Sequence, residues 1–159
     1  MKLTIKLQHY DYHALAQQIK SWSRELGFQF VGITDADLSD YSPDFKKWLN
    51  HHFNGDMSFM LENHEKRLAP EKLLPQTIRI ISVGINYYSA MKYNHISQHA
   101  KGKDYHSLIR KRLQKLADKI IEITGPMTYR AFCDSAPVLE KPLAEKAGIG
   151  WVGKNCTLI

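Results

Sequence analysis

The residues with the most obvious chemical potential are an aspartate, Asp134, and a lysine followed by an asparagine, Lys154 and Asn155. Asp134 follows an apolar run, 131–133, where partial loss of water would raise its pKa towards that of a general acid, although Lys141 and Lys154 would act in the opposite direction. Lys154 and Asn155 end a glycine-rich loop, whose backbone N–H groups can meet anionic or amide oxygens together with the ammonium group. An acid that faces a glycine and lysine loop across one helix indicates a site for a bound polar cofactor.

The glycine loop also matches two nucleotide-binding motifs, but its context argues against both. Gly148, Gly150 and Gly153 have the spacing G-x-G-x-x-G, yet a predicted helix precedes them where that motif needs a strand. The phosphate-loop spacing G-x-x-x-x-G-K fits as well, but Asn155 stands where a Mg²⁺-binding Ser or Thr is required. A simple turn between a helix and a strand is the structural alternative for this loop.

Alternating helical and strand-like patterns predict one α/β or α+β domain that would position these groups. Apolar, β-prone runs predict strands over 28–34, 78–87 and 127–133, and we expect them to form a mixed β-sheet flanked by helices. The acids Asp11 and Asp104 stand where helix N-caps belong. Helices are predicted over 11–26, 43–54, 57–63, 71–74, 104–123 and 138–147.

Composition favours a soluble protein of the cytoplasm. The 159 residues are enough for one hydrophobic core. There is no apolar run of about 18 residues that would indicate a membrane span, and the first residues lack a hydrophobic signal core. Two cysteines make no disulfide framework, which favours reduced thiols. The net charge of +6 suits a nucleic-acid partner without establishing one.

The remaining reactive side chains have simpler explanations than catalysis. His95 and His99 have the i, i+4 spacing of zinc ligands, but no third ligand is near and 89–102 lacks a helical period, so we predict a loop with surface histidines. Cys133 has no recognisable base partner and an apolar flank, which favours an unreactive thiol. The basic residues of 104–123 fit either a solvated face or an RNA contact.

Longer blocks of the sequence resemble the cobalamin-binding half of the epoxyqueuosine reductases, a family that acts on tRNA in queuosine synthesis. The most specific blocks are Asp134-Ser-Ala-Pro-Val-Leu-Glu140 and Leu143-Ala-Glu-Lys-Ala-Gly-Ile-Gly-Trp-Val-Gly-Lys-Asn155. Shorter blocks occur in the same order at 55–60, 67–70, 85–88, 104–106 and 158–159. The resemblance therefore spans most of the chain from about residue 20 onward.

This resemblance implies an enzyme that reduces the epoxide of epoxyqueuosine in the tRNA anticodon loop, using reduced cobalamin and an external electron donor. Asp134 matches the family's proton donor. Lys141 matches a substrate-binding position that is often arginine, so the charge is kept but the bidentate geometry is lost. The positions implied to bind cobalamin are Met57, Asp134, Lys154, Asn155 and Leu158.

One departure from the family concerns electron delivery. The resemblance implies a following ferredoxin-like region with cysteine ligands for two [4Fe–4S] clusters, whereas this chain has two cysteines in total and no set of cluster ligands. We therefore expect a fragment or truncated form that does not turn over by itself. The alternatives are a non-catalytic module that binds a corrin, a flavin or RNA, and a remnant that folds but binds nothing.

Overall fold

The computed structural model describes residues 11–87, 95, 100 and 102–159, and it has an α+β fold. This confirms the predicted fold class. In chain order the elements are α1 (Tyr12–Glu25), β1 (Phe30–Thr34), α2 (Ser42–Asn50), α3 (Ser58–Glu62), α4 (His64–Leu68), β2 (Ile80–Gly84), α5 (Tyr105–Thr124) and α6 (Glu140–Lys146). Short 3-10 turns occur at Ser39–Tyr41 and Pro70–Lys72.

The ends of the two longest helices follow from capping chemistry. The Asp11 carboxylate accepts hydrogen bonds from the backbone N–H groups of His13 and Ala14, each at 3.0 Å, and so caps α1. Asp104 caps α5 in the same way. Both predicted caps are confirmed. Just beyond α1 the chain turns at Gly27, whose φ of 85° lies in the left-handed region that glycine adopts without steric cost.

The sheet is smaller than the sequence suggests. β1 and β2, which confirm the strands predicted within 28–34 and 78–87, pair antiparallel. The prediction of a third strand at 127–133 is wrong, and within the described residues the sheet is two-stranded and antiparallel rather than mixed. β-prone residues form a strand only when a neighbouring backbone can complete the ladder, and 127–133 does not pair with either strand.

The sheet separates two apolar clusters. On one face Ile33 and Ile81, which are directly opposite each other in the register, pack against the helical cluster of α1 and α5. On the other face Ile80 packs against a second cluster that includes Leu143 of α6. The segment that joins α5 to α6 must therefore pass from one face of the sheet to the other. The buried members of the first cluster are Ile19, Leu116 and Ile120, and those of the second are Leu38, Val138 and Leu143.

Two features hold α6 against the sheet. A Cβ atom at Gly32 of β1 would lie 2.7 Å from the Ala147 Cβ and closer still to the Ala147 carbonyl oxygen, so only glycine allows this approach. The ammonium group of Lys146 donates to the Asp35 carboxylate and to the Asp37 carbonyl in the loop after β1. These contacts fix the position of α6, and with it the turn that carries the predicted proton donor.

Among the described residues, no helix has both the length and the apolarity needed to cross a membrane. The predicted loop over 89–102, including His99, lies largely outside the described residues.

Candidate active site

The turn between α5 and α6 displays the carboxylate of Asp134 at the surface. Phe132 before the turn and Val138 after it both pack into the cluster around Leu38. Between these anchors Asp134 has a φ of 53°, a left-handed conformation that is uncommon for residues other than glycine and is tolerated best by Asn and Asp. Its side chain is 50% exposed. The packing on both sides therefore holds Asp134 in a conformation that it would not favour alone.

The first turn of α5 brings two aromatic side chains to this carboxylate. The Tyr105 hydroxyl donates to Asp134 Oδ2 at 2.7 Å, and His106 Nε2 lies 3.7 Å from the same oxygen. His106 Nδ1 lies 2.7 Å from Asp104 Oδ1, which fits an N–H donated to that carboxylate. The Tyr105 and His106 rings stack with their centroids 4.1 Å apart. Asp134 is therefore met by a fixed hydroxyl donor and by an oriented imidazole.

A second carboxyl group, that of Glu140 at the start of α6, lies beside Asp134. Although the residue as a whole is exposed, loss of water around its carboxyl group raises the pKa of Glu140, and repulsion from the Asp134 charge raises it further. The hydrogen bond to Asp134 raises the pKa of Tyr105 to about 12, with burial as the next cause. The raised pKa favours the protonated form of Glu140, which places a proton-bearing group next to Asp134.

Cys133 lies next to this group, and its surroundings favour the neutral thiol. Its Sγ lies 3.8 Å from Asp134 Oδ2. Burial raises the pKa of the Cys133 thiol to about 11, and the negative charge of Asp134 is the next cause. A thiol that keeps its proton is a poor nucleophile, which supports the prediction of an unreactive Cys133.

We expect the Cys133 thiol to react with iodoacetamide at pH 8 about 10²-fold more slowly in the folded chain than in the chain unfolded by urea, because thiolate is the reacting form. The raised pKa means that its reactivity should appear only as the pH rises towards 11. The measurement uses Cys156→Ser, which leaves Cys133 as the single thiol, and Cys133→Ser is the matched control. Equal rates in the folded and unfolded Cys156→Ser protein would contradict the expectation.

The predicted glycine loop is part of a hairpin over 151–159. Trp151 and Ile159 exchange two backbone hydrogen bonds, and Gly153 N–H donates to the Thr157 carbonyl at 2.9 Å. Val152 N–H donates to Glu145 Oε1 at 2.7 Å. The prediction that this loop offers its N–H groups to a ligand is therefore wrong for residues 151–153, because the hairpin and α6 already bind them.

The other predicted site residues lie on the hairpin, on α6 or next to α3. Lys154 and Asn155 are exposed at the hairpin tip, and Leu158 is half-buried. The Lys141 ammonium donates to the Cys156 carbonyl, so it ties α6 to the hairpin. Met57, just before α3, is 43% exposed. In the described contacts Lys141 and Asp134 therefore share no partner. Lys141 contacts the hairpin, and Asp134 contacts other side chains.

Three neighbours of Asp134 were missed by sequence reasoning: Tyr105, His106 and Glu140. The first two lie in the Asp104-Tyr-His106 block, whose sequence alone indicates no catalytic role. Glu140 comes six residues after Asp134. Neither a regular helix nor a regular strand brings side chains six residues apart next to each other. Only the resemblance, which includes both blocks, could have pointed to them.

Comparison with known proteins finds epoxyqueuosine reductases among the relatives of this chain. A family model described as epoxyqueuosine reductase QueG, DUF1730, matches residues 67–135. The epoxyqueuosine reductase of Vibrio cholerae is 45% identical over 159 residues, which cover 94% of this chain and 43% of that protein. The enzyme of Escherichia coli is also 45% identical, with 94% and 42% covered. The chain therefore spans about two fifths of the length of these relatives.

Solved structures give the same result for the fold. A selenomethionine-labelled epoxyqueuosine reductase superposes with a TM-score of 0.77 at 27% identity, covering 92% of this chain and 41% of the other. The Bacillus subtilis enzyme, in a structure whose aspartate-bearing catalytic loop is swung out of the active site, gives 0.75 at 26% identity with the same coverage. An epoxyqueuosine reductase with a modified tRNA stem loop gives 0.73 at 25% identity, again covering 92% and 41%.

Proposed function

We propose that this chain, which is related over 94% of its length to the epoxyqueuosine reductases, forms the part of such an enzyme that supplies the proton donor and a cobalamin-binding surface. The substrate is epoxyqueuosine in the anticodon loop of a tRNA, and the reaction converts the epoxide to the alkene of queuosine. The observation that carries the proposal is the arrangement of Tyr105 and Glu140 around Asp134.

That arrangement suits the chemistry of epoxide opening. Breaking the C–O bond leaves negative charge on oxygen, and a nearby acid lowers the barrier by delivering a proton as the charge forms. Loss of water and the Asp134 charge raise the pKa of Glu140, which favours a proton on the carboxyl group beside Asp134, and the Tyr105 hydroxyl, at 2.7 Å from Oδ2, fixes the direction of the Asp134 carboxyl group. The side chain of Asp134 is 50% exposed, whereas the carboxyl group of Glu140 has lost water, so we assign Asp134 as the donor.

The exposed groups on the 151–159 hairpin fit the demands of cobalamin. That cofactor carries amide side chains and a phosphate around a flat, largely apolar ring, and it supplies the reducing electrons when bound. The Lys154 ammonium and the Asn155 amide offer charged and neutral donors, while Leu158 and Met57 offer apolar contact. The two cysteines of the chain cannot hold a four-cysteine cluster, so electrons have to come from a donor outside it.

The tRNA partner is supported by a relative and by charge. One structural relative is described with a tRNA stem loop, and this chain carries a net charge of +6. Part of the basic face of α5 has a structural role, because Arg112 donates to the Gly27 carbonyl at 3.2 Å. We keep Lys141 as a substrate-binding residue, and its ammonium would have to leave the Cys156 carbonyl to reach a phosphate.

Titration of the chain with cobalamin, followed by the visible spectrum of the corrin, tests the proposal. We expect saturable binding that Lys154→Ala weakens about tenfold, the effect of losing one charge-assisted hydrogen bond. Lys66→Ala, which removes an exposed lysine from α4, is the matched control and should bind as the unaltered chain does. An unchanged spectrum, or equal weakening by both substitutions, would count against a corrin site at the hairpin tip.

A further inference from the structure

Three side chains of different chemistry converge beside the turn that carries Asp134. His106 Nε2 and Cys133 Sγ lie 3.7 and 3.8 Å from Asp134 Oδ2, and all three atoms lie within 4.8 Å of one another. In a tetrahedral zinc site with bonds of about 2.0–2.3 Å, neighbouring ligand atoms are roughly 3.3–3.6 Å apart. Small side-chain rotations would therefore bring the three atoms to the spacing of metal ligands.

The imidazole is already oriented as a metal ligand. His106 Nδ1 lies 2.7 Å from Asp104 Oδ1, so the carboxylate can hold the N–H on Nδ1 and leave the Nε2 lone pair pointing towards Asp134. Metal-binding histidines in proteins usually donate their second ring N–H to a carboxylate or carbonyl in this way. Asp104 is itself fixed, because it caps α5 through the His106 backbone N–H at 3.0 Å.

The charges and the ligand types also agree with zinc. A neutral imidazole, a thiolate and a carboxylate balance the two positive charges of Zn²⁺, and the thiol releases its proton to solvent on binding. Asp134 Oδ2 accepts hydrogen bonds from the Tyr105 hydroxyl and from the Cys133 thiol, and loss of the thiol proton on binding frees the second lone pair for the metal. His106 and Cys133 are half-buried and Asp134 is exposed, so the site opens to solvent on one side.

We propose that His106 Nε2, Cys133 Sγ and Asp134 Oδ2 form a binding site for Zn²⁺, with the fourth coordination position open. If Asp134 is the proton donor of the proposed function, Zn²⁺ at this site inhibits the reaction, because a coordinated carboxylate cannot deliver a proton. The binding itself does not depend on that function.

Binding is tested on the chain alone, with Co²⁺ as the spectroscopic probe and Zn²⁺ as the competitor. We expect one equivalent of Co²⁺ to give a thiolate-to-cobalt charge-transfer band that Zn²⁺ removes. Cys133→Ser should abolish the band, and Cys156→Ser, the matched control, should keep it. Asp104→Asn retains a capping side chain, and it should weaken binding by about tenfold or more because the imidazole loses its charged partner.

A band that survives Cys133→Ser or disappears with Cys156→Ser overturns the site, as does the absence of any thiolate band. Thermal melting of each variant checks that the fold is intact, and His106→Gln is the second variant if Cys133→Ser fails to fold. The inhibitory effect is tested separately, in the chimeric reductase described below. In that chimera, each rate with Zn²⁺ is compared with the rate of the same protein without metal. Zn²⁺ should inhibit the Cys133→Ser variant much less than it inhibits the unaltered chimera. Equal sensitivity would overturn the inhibition while leaving the binding result in place.

Discussion

Asp134→Asn is expected to lower the turnover of epoxyqueuosine by on the order of 10²-fold or more while leaving cobalamin binding intact. Asparagine keeps the size of the side chain and can still accept the Tyr105 hydrogen bond, so the turn should persist. An amide cannot transfer a proton to the oxygen that leaves the epoxide carbon. The loss should therefore appear in kcat and not in the binding of the cofactor.

The measurement needs an enzyme long enough to turn over. A chimera in which this chain replaces the matching 43% of the Vibrio cholerae reductase supplies one. Asp56→Asn, at an exposed acid before α3, is the matched control and should leave turnover unchanged. Turnover near that of the unaltered chimera would show that another group protonates the product, and loss of cobalamin binding would show that Asp134 instead maintains the cofactor pocket.

The largest expected effect on stability comes from Gly32→Ala, which should lower the free energy of unfolding by about 2–3 kcal/mol. The new methyl group would lie 2.7 Å from the Ala147 Cβ and closer to the Ala147 carbonyl oxygen. Backbone atoms cannot rotate away as a side chain can, so β1 and the end of α6 must separate. That separation would open the cluster in which Leu143 is 2% exposed.

Gly84→Ala is the matched control, because Gly84 lies in the partner strand and faces a movable neighbour. Its new Cβ would lie 3.3 Å from Phe30 Cδ2, and Phe30 is 52% exposed, so its side chain can shift. We expect a change of about 0.5 kcal/mol or less in the free energy of unfolding. Urea denaturation of both variants gives the comparison, and equal destabilisation would show that the approach of α6 to β1 is not as tight as the structure has it.

The local features of this protein follow from short-range interactions that can be read in its amino-acid sequence. The caps Asp11 and Asp104 and the turn at Gly27 follow from hydrogen bonds and backbone preferences that span a few residues. The apolar periods of α1 and α5 likewise depend only on neighbouring turns of one helix. The resemblance over 134–155 pointed to the family whose known members match the chain in sequence and fold.

Which distant side chains come into contact depends on the packing of the folded chain. Tyr105 and Asp134 are 29 residues apart in the sequence, and only the packing of the folded chain brings the hydroxyl of one to the carboxylate of the other. The same packing leaves 127–133 without a strand partner. It also occupies the N–H groups of the glycine loop, which donate hydrogen bonds to carbonyls of the hairpin and to the carboxylate of Glu145. Local propensity carries no information about such distant partners, because the free energy of each contact depends on the whole chain having folded around it.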